Sequence, residues 1–153
     1  MNRVQRHENL LLVALALVAL AASGLAPYDR LTWWMETLPV MLGLPLLFAT
    51  RRRFPLTPLV YRLLFVHSLI LMLGGHYTYA EVPLGYWMQD WFEFTRNNYD
   101  KIGHLAQGFV PAIVAREILI RNAVVTSKRW LFFIVVCICL AISALYELIE
   151  WWV

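Results

Sequence analysis

The chain has 153 residues, 61% of them hydrophobic and only 15% charged, with a formal net charge of +3. So little polar surface cannot clothe a soluble globule of this size. The small basic excess is accounted for by membrane topology, so nucleic acid is not an expected partner. The apolar residues fall in blocks of 18 or more, long enough for a helix rising about 1.5 Å per residue to cross about 30 Å of hydrocarbon. The composition therefore predicts an all-α, polytopic transmembrane bundle of about five spans, forming a single domain over 1–153 with the lipid bilayer as its solvent.

The first span is predicted over 9–26, a run of Leu, Ala and Val closed by Pro27 and the turn Tyr28-Asp29-Arg30. A cleaved signal peptide is the competing reading, because Arg3 and Arg6 precede a short apolar core and Ala19-Leu20-Ala21 resembles a cleavage site. The second span, 31–50, opens on Trp33 and Trp34 and stops at Arg51-Arg52-Arg53. The third, 58–75, leaves the membrane at Gly74-Gly75-His76. A polar, aromatic loop covers 77–98. Within it Trp87, Met88, Trp91, Phe92 and Phe94 share one side of a helical wheel, with Gln89, Asp90 and Glu93 on the other, which predicts a short interfacial helix. The fourth span is predicted over 99–120 and the fifth over 130–151, after Lys128 and Arg129. Cys137 and Cys139 lie two apart in the fifth span, on nearly opposite helix faces, and read as small packing residues.

On this layout ten basic residues fall on the side of the N-terminus and three, Arg30, Arg96 and Lys101, on the other. The positive-inside rule then places the N-terminus in the cytoplasm. Eight of the ten acids lie on the opposite, outer side. Acids contribute little to insertion, so that bias points to a polar site.

Two polar stripes mark where such a site would be. Asp100, His104 and Gln107 follow at i, i+4 and i+7 on the fourth span, and Ser143, Glu147 and Glu150 align by the same spacing on the fifth. His104 lies 17 residues from Arg121 and Glu147 lies 17 from Trp130, each about 25 Å from the inner boundary, so the two stripes are at matching depth. Gly103, Gly108, Ser143 and Ala144 are small enough for close helix approach. Pro111 removes the hydrogen bond to the Gln107 carbonyl and favours a kink. Glu36 and His76 lie at comparable depth and would complete a ring. Four acids and two imidazoles so placed have the chemistry to hold a divalent cation, relay protons, or act as general acid and base on a lipid-linked substrate. Asp100, His104 and Glu147 are the candidate catalytic residues and metal ligands; Gln107, Glu150, His76 and Glu36 are candidate binding residues.

Each has a structural reading beside the functional one. Asp100 suits the first turn of a helix after the Asn97-Asn98 cap candidates, Glu150 suits an interface beside Trp151 and Trp152, and His104 with Glu147 suits an interhelical tie. His67, with Ser68 in mid-span, reads as a satisfied core residue, and Glu117 with Arg121 as an i, i+4 ion pair. No phosphate loop, nucleophile elbow or HExxH-type motif occurs in the sequence.

The run Asn98-Tyr99-Asp100-Lys101-Ile102-Gly103-His104-Leu105-Ala106-Gln107-Gly108-Phe109-Val110-Pro111-Ala112, with Arg116-Glu117-Ile118-Leu119 and Tyr146-Glu147-Leu148-Ile149-Glu150-Trp151-Trp152, closely resembles the YjdF family of bacterial inner membrane proteins. The likeness is strongest over 76–152. It implies a multi-pass protein of the bacterial inner membrane and no particular activity. An Asp-Lys-x-x-x-His helix start followed by Tyr-Glu-x-x-Glu also resembles, more distantly, the VanZ-like membrane proteins, which implies shared polar positions at Asp100, His104 and Glu147. YjdF-like chains continue past this point into a further acidic segment and span, whereas this sequence stops at Val153. Three functions follow as expectations: an envelope binding or structural protein, a metal-assisted or acid/base enzyme on a lipid-linked substrate, and a proton- or cation-coupled transporter. The last is weakened by the lack of a polar path toward the cytoplasmic end.

Overall fold

The computed structural model describes residues 3–152; Val153 lies outside them. Among the described residues there are six helices and no strand: α1 (Arg3–Ser23), α2 (Arg30–Thr50), α3 (Pro58–His76), α4 (Pro83–Phe92), α5 (Tyr99–Arg121) and α6 (Lys128–Trp152). Four of them, α1, α2, α3 and α6, have the length and apolarity to cross a membrane. α5 is as long, but its polar stripe makes it less apolar. The chain divides into two compact units, residues 1–103 and 104–153, with the division inside α5.

In unit one, α1 and α2 each pack along α3. Val40, Leu71 and Met72 form the buried centre, with Ala19, Leu20 and Leu44 against it. Side-chain ties join α1 to α3 at both ends. Arg62 donates to Glu8 at 2.6 Å, and His76 Nδ1 donates to the Ser23 carbonyl at 2.8 Å. The two helices therefore run parallel. Glu8 and Arg62 explain why α1 begins at Arg3, six residues before the predicted 9: the polar head is itself composed of good helix formers and has a partner on α3. α1 ends at Ser23, ahead of the predicted 26. Ser23 turns its hydroxyl back to the Leu20 carbonyl at 3.0 Å, and Ala26 takes a left-handed φ of 50° before Pro27.

α2 starts from a side-chain cap, the Thr32 amide donating to Asp29 Oδ1 at 2.7 Å. That bond from the Thr32 backbone is the main cause holding the Asp29 carboxyl below its ordinary range. A carboxyl with a lowered folded-state pKa adds stability above its unfolded value, and the contribution is lost as pH falls through the folded one. Asp29→Ala is therefore expected to lower the unfolding midpoint at about pH 7 and to lower it less once the pH falls below the folded-state pKa of Asp29. Thermal unfolding in detergent across this range checks this, and Asp29→Asn, which keeps an acceptor without the charge, should fall between the parent and Asp29→Ala at about pH 7.

His67 departs from the sequence reading. Its Nε2 is buried with no hydrogen-bond partner among the described residues, while Ser68 turns to the Phe65 carbonyl at 2.7 Å. In unit two, α5 continues as helix through Pro111, and Arg121 donates to Glu117 at 2.7 Å as its i, i+4 spacing predicts. A left-handed Ala123, φ 51°, turns the chain toward α6.

Candidate functional site

In unit one the polar residues gather where α1 and α3 end and α2 begins. Ser23 is the hub. Its hydroxyl accepts from Trp33 Nε1 at 3.0 Å, and its carbonyl accepts from His76. A carbonyl only accepts, so Nδ1 of His76 carries a proton. The His76 carbonyl in turn accepts the Tyr28 amide at 3.0 Å.

Glu36 sits about two turns into α2 and is buried, 9% exposed. Its Oε2 accepts from Tyr79 Oη at 3.0 Å. The Tyr79 ring fits a notch made by missing side chains. A Cβ at Gly74 would overlap the ring, and one at Gly103 would stand 2.7 Å from it. A Cβ at Gly75 would stand 2.9 Å from the Glu36 Cβ, so α3 meets α2 closely there. Thr78 and Tyr79 both hold a left-handed φ of 55°, a conformation costing about 1–2 kcal/mol per residue outside glycine. The ring in its notch and the bond to a buried carboxyl offset that cost. Tyr79 is the partner of Glu36 that sequence reasoning missed. Gly103, read as a helix-contact residue, makes room for Tyr79 instead, and a Cβ at Gly108 would meet no described atom within 4 Å.

The loop that carries Tyr79 is pinned by buried Asn97, whose Nδ2 donates to the Val82 carbonyl at 3.0 Å and whose Oδ1 accepts the Tyr99 amide at 3.0 Å. A Cβ at Gly85 would collide with the Asn97 amide. Asn97 is thus both the start of α5 and the clamp on α4. Outside the spans, Tyr86 donates to Glu81 at 2.6 Å, and that bond pushes its phenol up from the ordinary value. Asp100 takes Arg96 at 2.9 Å and the Lys101 amide at 2.9 Å, the helix-start arrangement that the dipole favours.

In unit two the structure brings His104 and Glu147 together across α5 and α6, Nδ1 to Oε1 at 3.6 Å, with side chains 60% and 55% exposed. That separation is too long for a hydrogen bond; the two attract as an ion pair once the imidazole is protonated. Gln107 and Glu150, on the same stripes, are half-buried. Within neither unit do three or more His, Cys, Asp or Glu side chains lie close enough to hold a metal ion among the described residues.

Apolar helices of membrane-spanning length, with polar groups paired at their ends, define a multi-pass α-helical membrane protein. Comparison with known proteins makes this specific. The chain belongs to the family described as "Predicted membrane protein (DUF2238)", whose model matches residues 8–153. It is 56% identical over 130 residues to the inner membrane protein YjdF of Escherichia coli (strain K12), a match covering 85% of this chain and 62% of that relative. The chain thus spans less than two thirds of the curated relative's length. The protein is a multi-pass inner-membrane protein in contact with lipid. No solved structure matches it. The looser likeness to VanZ-like proteins gains no support from these comparisons.

Proposed function

We propose that the protein serves the cell envelope as a binding or structural membrane protein, with five spans over a single domain, its N-terminus in the cytoplasm and its acid and imidazole residues on the periplasmic side. The ten-to-three distribution of basic residues supports this orientation. The observation that carries the reading is the His104–Glu147 pair. Glu36 and Asp100 are occupied by Tyr79 and Arg96, whereas His104 and Glu147 face each other across a gap of 3.6 Å, each more than half exposed. Ionisable groups at mid-membrane cost about 2.5–3.5 kcal/mol on insertion scales, less toward the interface, so a modest benefit suffices to keep them. A proton, a cation or a hydrogen-bond donor on a lipid headgroup would close the gap into a charge-assisted contact. Gln107 and Glu150 flank it on the same stripes.

The acid and imidazole geometry also favours a second reading. A carboxylate that orients an imidazole is the arrangement of a general base, here acting on a lipid-linked substrate.

Elemental analysis of the detergent-purified protein beside His104→Ala and Glu147→Ala, with folding followed by circular dichroism, separates these. No metal in the parent and lower midpoints in both variants are the expected result and make the pair a tie between α5 and α6. Stoichiometric metal, lost in both folded variants, would move the metal-assisted enzyme to the front. Variants that match the parent in both respects would remove the structural tie and the metal site as roles for the pair.

A further inference from the structure

The geometry points to α4 as a lipid-facing anchor: its aromatic face is inserted at the boundary between headgroups and acyl chains, held there rigidly by unit one and bound without any preference for anionic lipid. At about 100° per residue, Leu84, Trp87, Trp91 and Phe92 fall within an arc of about 140° on the helix. The packed side, Gly85 with half-buried Met88 and Gln89, lies about 80° round from the centre of that arc. The aromatic face therefore looks sideways from the contact with the rest of the unit. Apart from half-buried Met88 within it, the face is open, with Trp87 59%, Trp91 74% and Phe92 62% exposed.

Lipid is the occupant because α4 is tethered closely to the end of a helix of membrane-spanning length and apolarity. α4 begins seven residues after α3 ends and finishes seven residues before α5 begins, so short tethers at both ends keep it at the level where spans leave the bilayer. Trp is the side chain suited to that level, an apolar ring with one polar N–H. The clamp of Asn97 on Val82 and Gly85 fixes the helix against the unit, so it stays at one depth rather than partitioning on and off. Charge argues against recruitment by anionic headgroups. The segment 77–98 carries Glu81, Asp90 and Glu93 against Arg96 alone, the reverse of the basic face that anionic surfaces select.

The test uses the full chain in phosphatidylcholine vesicles, with and without phosphatidylglycerol, and the variant Trp87→Phe/Trp91→Phe. The difference in tryptophan emission between parent and variant isolates these two of the seven tryptophans. That difference is expected to be lost to lipids brominated high on the acyl chain, to survive aqueous iodide, and to be the same in both lipid mixtures. Quenching by iodide instead would place the face in water. Resistance to both quenchers would mean that protein covers it, and a gain with phosphatidylglycerol would show charge recruitment; each of these overturns the proposal. The milder Trp91→Phe single variant gives the same reading where the double variant unfolds.

Discussion

Gly74→Ala is expected to destabilise the protein by about 2 kcal/mol. An alanine in a helix interior normally gains up to about 1 kcal/mol over glycine, so the sign depends on what the methyl meets. At Gly74 it meets the Tyr79 ring, which Gly103 confines from another side. The ring cannot swing aside without giving up Glu36. Overpacking costs about 1–3 kcal/mol, and losing a hydrogen bond to a buried acceptor costs about 1–3 kcal/mol; together they outweigh the propensity gain. Gly43→Ala is the control, because a Cβ there meets nothing within 4 Å, and that variant should be as stable as the parent or better. Thermal unfolding of both in the same detergent decides the matter. Equal midpoints would mean that the notch is not filled by Tyr79.

Tyr79→Phe should cost about 1–3 kcal/mol, since it removes the donor and leaves the Glu36 acceptor buried. Changing both partners to apolar groups of similar shape is far milder, so Tyr79→Phe/Glu36→Leu should recover most of the loss. The diagnostic quantity is the coupling energy of the double-mutant cycle, about 1 kcal/mol or more for residues in direct contact. Additive single effects would show that the hydrogen bond contributes nothing to stability. Glu36→Gln, whose amide carbonyl still accepts, should behave like the parent.

The helices were legible in the sequence because each rests on a one-dimensional signal. The blocks of Leu, Ala and Val, the stop at Arg51-Arg52-Arg53 and the helical-wheel pattern around Trp87 and Trp91 all read directly onto α1, α2 and α4. His104 and Glu147 were legible too, since consecutive antiparallel helices with equal offsets from their inner ends must bring them to one depth. The partners of Glu36 and His76 were not. Tyr79 lies 43 residues from Glu36 and Ser23 lies 53 from His76, and no periodicity links such pairs. The sequence did carry one clue, the glycines at 74, 75 and 103, but a glycine announces missing volume without saying whose side chain fills it. His67 shows the opposite limit: a mid-span imidazole reads as satisfied by default, and only the packing around it reveals an Nε2 without a partner.

The two ties between α1 and α3 act together as a gauge block. From Glu8 to Ser23 is 15 residues and from Arg62 to His76 is 14, which at about 1.5 Å per residue are lengths of about 22 and 21 Å. Neither tie is strong, and the exposed Glu8–Arg62 pair belongs to a class worth little in energy. Their effect is on position. Sliding α1 along α3 by one helical turn would move both donors about 5.4 Å from their acceptors at once, so the shear that many helix pairs use to change state breaks both ties together here. Rotation of the pair as a single rod costs neither bond. A movement within unit one that keeps both ties therefore carries Ser23, His76 and the helix ends they fasten as one piece.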